Sequence, residues 1–408
     1  MKSVKILHTA DWHLGKRLEQ FSRMEEQTAV LAEICDIADE RQVDAVIIAG
    51  DLFDTFNPAT EAVDLFYKTL KRLTNNGKRL VIAIAGNHDS PERIEAPDPL
   101  ARECGIVFSG FPTTTVPLFQ LESGLEVTKS VSGFIEVKLP DIDIPLRLVL
   151  TPYANEYRMK TFLGIKDSES ELRLVLQEHW KKLADTYCDD QGVNLLVTHL
   201  FMVKNGGLIP EEPEEEKPIN HVGGAQAIYT SNVPEQIQYV ALGHLHRPFQ
   251  MDDLPCPVVY SGSPLSYSFS EAEQQKFVNI LHAEPGRPIQ YEQIPLNNGK
   301  RLIRYRAEGS ESALQWLVQH PDNLVELTLV TESYLTATER KAILTAHDGI
   351  VAIIPEIRTV GSEPTERKTI NLNQEMDDLF KDYFQTKTGQ PLNEELLTLF
   401  QEIKAERL

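Results

Sequence analysis

Three short apolar runs near the start of the chain, Val4 to Thr9, Ala45 to Ala49 and Leu80 to Ala85, alternate with two stretches of helical spacing, and this order leaves little freedom of fold. Met24 to Glu40 carries Ala29, Val30, Ile34, Ile37 and Ala38 on one face, and Ala59 to Leu73 carries Ala62, Leu65, Phe66 and Leu70. The apolar runs are too short for core helices and read as buried strands. The pattern is therefore β-α-β-α-β, which closes as a largely parallel sheet covered by helices. Leu195 to Thr198 and Tyr239 to Leu242 read as further buried strands, Leu146 to Leu150 as a strand and Glu171 to Tyr187 as a helix, while the remainder of 110–190 shows no clear period.

Residues with metal-binding chemistry stand at the ends of these strands. Asp11-Trp12-His13 comes after the first, Gly50-Asp51 after the second, Gly86-Asn87-His88-Asp89 after the third, Thr198-His199 closes the fourth and Gly243-His244-Leu245-His246 comes after the fifth. Taken singly, each block is ordinary turn chemistry or a satisfied histidine. Taken together they are a site, because loops at the carboxyl ends of strands in open α/β sheets converge on one crevice.

The donor types are two carboxylates, one amide oxygen and four imidazoles, from Asp11, His13, Asp51, Asn87, His199, His244 and His246, with no thiolate. Such a mixed N/O set suits Mn, Fe or Zn. Seven donors exceed what one ion with an open position uses, whereas two ions sharing Asp51 use four each. Two dications about 4 Å apart repel by ~17 kcal/mol at an effective dielectric of 20, which the aspartates must help to offset. His88 points away from its neighbour Asn87 in an extended turn, so it is better placed to give a proton than to ligate, and Asp89 is expected to orient it.

The balance of 40 Lys+Arg against 61 Asp+Glu gives a net charge of −21, which excludes a basic nucleic-acid binder of the histone kind but not an enzyme whose local field attracts a phosphodiester. The four cysteines lie far apart with no C-x-x-C pair and read as reduced thiols. A charged, His-containing start and the absence of any long apolar run lead us to expect a cytoplasmic chain with no membrane span and no targeting segment. The acidic run 211–216 reads as a solvated loop.

Beyond Glu284-Pro285-Gly286-Arg287-Pro288, whose breakers suggest a boundary near residue 290, the pattern changes. Leu302 to Arg306, Ser312 to Gln319, Leu324 to Val330, Ala337 to Ala346 and Ile350 to Ile357 alternate as β-α-β-α-β, which suits a small α+β unit. After residue 364 the tail holds two amphipathic stretches, one with Leu372, Met376, Leu379, Phe380, Tyr383 and Phe384, the other with Leu396, Leu397, Phe400 and Ile403.

The five blocks resemble the signature of the calcineurin-like metallophosphoesterase superfamily: D-x-H, G-D-x-x-D, G-N-H-D/E, a later His, and G-H-x-H. The chain is similar to the DNA-repair nucleases within it, and the similarity continues through Ser261-Gly262-Ser263-Pro264, the small second domain and the tail. The resemblance implies a four-layer sandwich of two mixed sheets flanked by helices over 1–290, a DNA-contacting capping domain over 296–360, and a helical hairpin over 365–408 that docks on the coiled coil of an ATPase partner. It implies two Mn²⁺ ions, with Mg²⁺ as the alternative, one held by Asp11, His13, Asp51 and His246 and the other by Asp51, Asn87, His199 and His244. His88 would be the catalytic histidine, and the chain a double-strand exonuclease and single-strand or hairpin endonuclease, a homodimer through Ala59 to Leu73 within a heterotetramer. Asp54 stands where archaeal and eukaryotic relatives carry His. A phosphatase of small phosphate esters is the enzymatic alternative, although the Arg-Gly of phosphoprotein phosphatases is replaced here by Thr55-Phe56 after Asp54. A non-catalytic scaffold for an ATPase is the other, and the intact donor set argues against it.

Overall fold

The computed structural model describes residues 3–154, 158, 170–207, 228–332 and 335–358, and 379–381, 384, 396–397 and 400 of the tail. The acidic run 211–216 and most of the expected tail hairpin lie outside the described residues.

Thirteen strands form two sheets. The chain runs β1 (Val4–Thr9), α1 (Met24–Glu40), β2 (Ala45–Ala49), α2 (Thr60–Leu73), β3 (Leu80–Ile84), β4 (Ile106–Ser109), β5 (Glu126–Val131), β6 (Phe134–Lys138), β7 (Leu146–Thr151), α3 (Ser170–Tyr187), β8 (Val193–Thr198), β9 (Tyr239–Leu242), β10 (Phe249–Asp252), β11 (Val258–Tyr260), β12 (Phe277–Ala283) and β13 (Gln290–Pro295). The first sheet has the order β13-β12-β1-β2-β3-β4 and the second β10-β11-β9-β8-β7-β6-β5. Strands β1 to β4 are mutually parallel, as are β7, β8, β9 and β11, whereas β12 and β13 pair antiparallel at one edge of the first sheet and β5, β6 and β10 at the edges of the second.

Strand alternation builds the layers. Leu7, Val46, Ile48, Val81 and Ala83 face a core that includes Val30, Ile34, Phe66 and Leu70 of α1 and α2, while their neighbours Ile6, Ile47, Leu80 and Ile82 face a second core shared with Leu195, Val197 and Ala241 of the other sheet. On the far side Leu196, Val240 and Leu242 pack on Leu176, Trp180 and Ala184 of α3. Because side chains in a strand alternate faces, one residue in two serves each core, and the result is helix, sheet, sheet, helix. This is the expected four-layer sandwich of mixed sheets.

The breakers 284–288 turn out to make a hairpin. They join β12 to β13, so the first sheet continues to Pro295 rather than ending near 290. Beyond it, β14 (Leu302–Glu308), α4 (Gly309–Gln319), β15 (Leu324–Thr331), α5 (Ala337–Ala346) and β16 (Ile350–Ile357) form a three-stranded sheet of order β14-β15-β16 with its own core around Ala313, Leu317, Leu327 and Ile343. A second compact unit comprises 331–334 and 357–408; within it Phe380 stacks on Phe400 with ring centroids 4.0 Å apart. Among the described residues no helix is long and apolar enough to cross a membrane, and the four cysteines are unpaired.

Candidate metal centre

The seven expected donors meet. Asp11, His13, Asp51, His199 and His244 are completely buried, and His246 and Asn87 nearly so. Backbone bonds first align the loops: Asp11 N donates to Gly50 O at 3.0 Å, His13 N to Asp51 O at 3.0 Å, and Gly243 N to Thr198 O at 3.2 Å. Side chains then tie the two sheets together, with His244 N donating to Asp11 Oδ1 (2.8 Å) and His199 Nδ1 to Ala49 O (2.8 Å). The second bond fixes the tautomer of His199 and leaves Nε2 for the centre.

The backbone is strained where the ligands are. Asp11, His13, Asp51 and His244 all adopt positive φ, at 54°, 43°, 49° and 94°. Side chains in that region cost on the order of 1–3 kcal/mol each, a cost sustained only where surrounding structure enforces it. Close approach explains the glycines: a Cβ on Gly50 would stand 2.2 Å from His199 Nδ1, one on Gly86 2.0 Å from Asp51 Oδ1, and one on Gly243 1.9 Å from Ala49 O. Nothing larger than hydrogen fits.

Donor atoms face one another at coordination spacing. His13 Nε2 lies 3.0 Å from His246 Nε2, His199 Nε2 lies 2.9 Å from Asn87 Oδ1 and 3.2 Å from Asp51 Oδ2, and His244 Nδ1 lies 3.3 Å from Asn87 Oδ1. Adjacent donors on one ion with bonds of about 2.1 Å stand about 3 Å apart, so these separations suit shared cations. Asp11 Oδ2 is buried and accepts no hydrogen bond from any described residue, an orphan that a cation would satisfy. Three compact groups emerge: Asp11, His13 and His246; Asp11, Asp51 and His199; and His13, Asp51 and His88. These buried Asp/His clusters are suited to divalent metal ions, and the residues present fit them.

Electrostatics points the same way. Burial, reinforced by Asp51, pushes the Asp11 carboxyl up to about 6 against the pull of His199 and His246. Burial disfavours charge on His199, yet the Asp51 and Asp11 carboxylates raise it to about 9. Both shifts are those of a buried pocket dominated by carboxylate charge, where a cation would be favoured. Around His246, burial opposes charge on Glu271, but Lys276 and His246 hold that carboxyl well below its usual range.

His88 lies beside the donors, its ring centroid 4.9 Å from that of His13, and its backbone N donates to Asp51 Oδ1 at 2.8 Å. The expectation that Asp89 orients this ring is corrected. The buried Asp89 carboxylate accepts backbone N–H groups of Leu52, Phe53 and Gly86 at 2.8–3.0 Å, and its capacity goes to bracing the loops after β2 and β3. His88 Nδ1 instead lies 2.8 Å from the carbonyl oxygen of Asp54. The Asp54 side chain pairs with Lys16 Nζ at 3.1 Å, with His13 Nδ1 3.7 Å away.

Sequence reasoning missed Gln27. Its amide, buried on α1, receives Gly15 N at 3.0 Å and donates to His13 O at 2.8 Å, holding the loop that carries His13. A glutamine on the core-facing stripe of an amphipathic helix was the available signal.

Comparison with known proteins agrees with this geometry. A match to the family described as calcineurin-like phosphoesterase spans residues 4–248. The chain is 34% identical over 410 residues to the D subunit of nuclease SbcCD from Bacillus subtilis (strain 168), covering 98% of this chain and 97% of that protein. It is 32% identical over 314 residues to the protein of that name from Rhodobacter capsulatus, covering 75% and 73%, and 28% identical over 339 residues to the one from Staphylococcus epidermidis, covering 82% and 80%.

Proposed function

Because the chain belongs to the calcineurin-like phosphoesterase family, on the branch of the nuclease SbcCD D subunits, we propose that its buried centre hydrolyses phosphodiester bonds of DNA with the help of divalent metal ions. Asp11, His13, Asp51 and His246 would hold one ion, and Asp51, Asn87, His199 and His244 the other, with Mn²⁺ the expected metal and Mg²⁺ the alternative. When bound, the ions supply Lewis acidity toward the phosphoryl group and activation of water. The rest is the work of this chain's own residues. Asp51 would be shared by both ions. His88, its Nδ1–H given to the Asp54 carbonyl, carries on Nε2 the proton delivered to the departing 3′-oxygen. Asp89 keeps the two loops in register.

The substrate is duplex DNA attacked from an end and single-stranded or hairpin DNA attacked internally. Residues 296–360 act as a capping domain on that DNA, 365–408 dock on the coiled coil of an SbcC-type ATPase, and two copies join through the stretch Ala59 to Leu73 in a heterotetramer. The setting is the bacterial cytoplasm, at the nucleoid. The observation that carries the reading is the convergence of seven buried donors from the ends of five strands on two sheets, with a histidine beside them anchored on the Asp54 carbonyl. The test is purified protein with Mn²⁺ or Mg²⁺ on labelled blunt duplex, hairpin and single-stranded DNA, beside p-nitrophenyl phosphate and a nitrophenyl diester. Cleavage of DNA and diester is expected; efficient hydrolysis of the monoester alone would overturn the nuclease reading in favour of a phosphatase.

A further inference from the structure

The turn Ser261-Gly262-Ser263-Pro264, together with Glu271 and Lys276, takes no part in the chemistry above, yet these residues converge on a single ligand. Ser263 N donates to the carbonyl oxygen of His246 at 3.1 Å, and Lys276 Nζ donates to the same oxygen at 3.0 Å. The His246 backbone is thus held from two sides. Gly262 allows the approach, since a Cβ there would stand 2.6 Å from that oxygen and its φ is +73°.

The ring of His246 is held at its other end. Its Nδ1 lies 3.2 Å from Glu271 Oε1, which also receives Tyr267 N at 3.2 Å. Glu271 Oε2 is taken by Lys276 Nζ and, at 3.3 Å, by Ser263 Oγ. Glu271 and Lys276 are 3% and 5% exposed. A buried ion pair is a poor source of stability, because desolvating both charges offsets their attraction and a well-packed apolar pair serves as well. A buried carboxylate aimed at the outer nitrogen of a metal-ligating histidine has a different use: it fixes the tautomer and ring orientation and makes the inner nitrogen more basic.

We infer that Glu271 is a positioning residue for the metal centre: its carboxylate, held by Lys276, takes the Nδ1 proton of His246 in a hydrogen bond and presents Nε2 toward His13 as the stronger donor. Lys276 clamps both partners at once, the carboxylate through Oε2 and the ligand through its backbone carbonyl. Residues near position 270 thereby reach a site built otherwise from strand ends. The inference rests on the two-metal reading.

The experiment uses the full chain, stripped of metal and titrated with Mn²⁺ alone by calorimetry, with metal content counted after dialysis. Glu271→Gln/Lys276→Met removes both charges together at nearly constant volume, so neither is left buried and unpaired. Wild type is expected to take up two ions. The double variant, with an unfolding midpoint matching metal-free wild type, is expected to lose about 10- to 100-fold in affinity at one of the two sites and to keep the other. If the double variant fails to fold, Glu271→Asp, which keeps the pair with Lys276 but withdraws the carboxylate from His246, is read by the same loss at one site. A folded variant that binds both ions as tightly as wild type overturns the positioning role. A wild type that takes up no Mn²⁺ overturns the two-metal reading itself, and the inference with it.

Discussion

Stripping the metal should make the stability of the fold depend on the charge of His199. Although the ring is completely buried, Asp51 and Asp11 hold its folded pKa at about 9, whereas an unfolded histidine titrates near 6.5. A group raised in the folded state contributes stability that is fully present below the unfolded pKa and is lost as pH rises through the folded one, so the window runs from about 6.5 to 9. The 2.5-unit difference, at about 1.36 kcal/mol per unit, amounts to ~3 kcal/mol. Asp11, raised by burial to about 6, is largely ionised through this window, and His8, pushed by burial down to about 3, is neutral in the folded state; the thiols of Cys35, Cys188 and Cys256, which burial pushes well up, add a smaller loss as unfolded thiols ionise toward pH 9. Urea unfolding in chelator at pH 6.5 and pH 9 should show wild type losing about 3 kcal/mol more than His199→Asn, which is weaker overall and keeps only the loss linked to its buried thiols. Saturating Mn²⁺ should bring the wild-type loss down to that of the variant, because a ligating imidazole must be neutral. A metal-free wild type that is flat or gains stability toward pH 9, or a His199→Asn variant with the wild-type slope, would refute the reasoning.

Gly86→Ala drives a methyl to 2.0 Å from Asp51 Oδ1 and 2.2 Å from its backbone N, so it should cost at least about 1–3 kcal/mol by chemical denaturation and lower metal content by elemental analysis. His88→Ala should keep metal and DNA affinity near wild type while the cleavage rate falls by about 10² to 10⁴, with much of the loss recovered on a nitrophenyl diester that needs no leaving-group proton; loss of a metal ion, or equal loss on both substrates, would make His88 a ligand or binding residue. Deleting 370–408 should leave Mn²⁺-dependent cleavage of short single strands but remove co-purification with an SbcC-type ATPase, and full recovery of the ATPase would exclude the tail as the docking element.

The periodic elements were legible because local pattern determines them: β1, α1, β2 and α2 arise from strand runs and helical stripes that no distant contact overrides. The split into two sheets was not. Strands such as β2 and β8, buried on both faces, carry no mark of which sheet they join, and β12 reaches the edge of β1 from more than 250 residues away, with Leu7 opposite Ile280. Resemblance, not period, supplied that architecture. Strand β5, half-buried at the sheet edge, has a burial pattern too irregular to read, and the 284–288 breakers look alike whether they turn a hairpin or end a domain. At the site, residue types at strand ends were enough to bring seven donors together. The role of Asp89 was misread because its partners are backbone N–H groups of another loop, and that of Asp54 was invisible because it acts on His88 through its carbonyl, which every residue possesses.

The central claim is that two ions share Asp51. Anomalous diffraction at the manganese edge from crystals grown with Mn²⁺ tests it most directly: the account predicts two peaks about 3.5–4 Å apart, both within bonding distance of the Asp51 carboxylate, one flanked by Asp11, His13 and His246 and the other by Asn87, His199 and His244. A single peak, or two peaks of which only one touches Asp51, would contradict it.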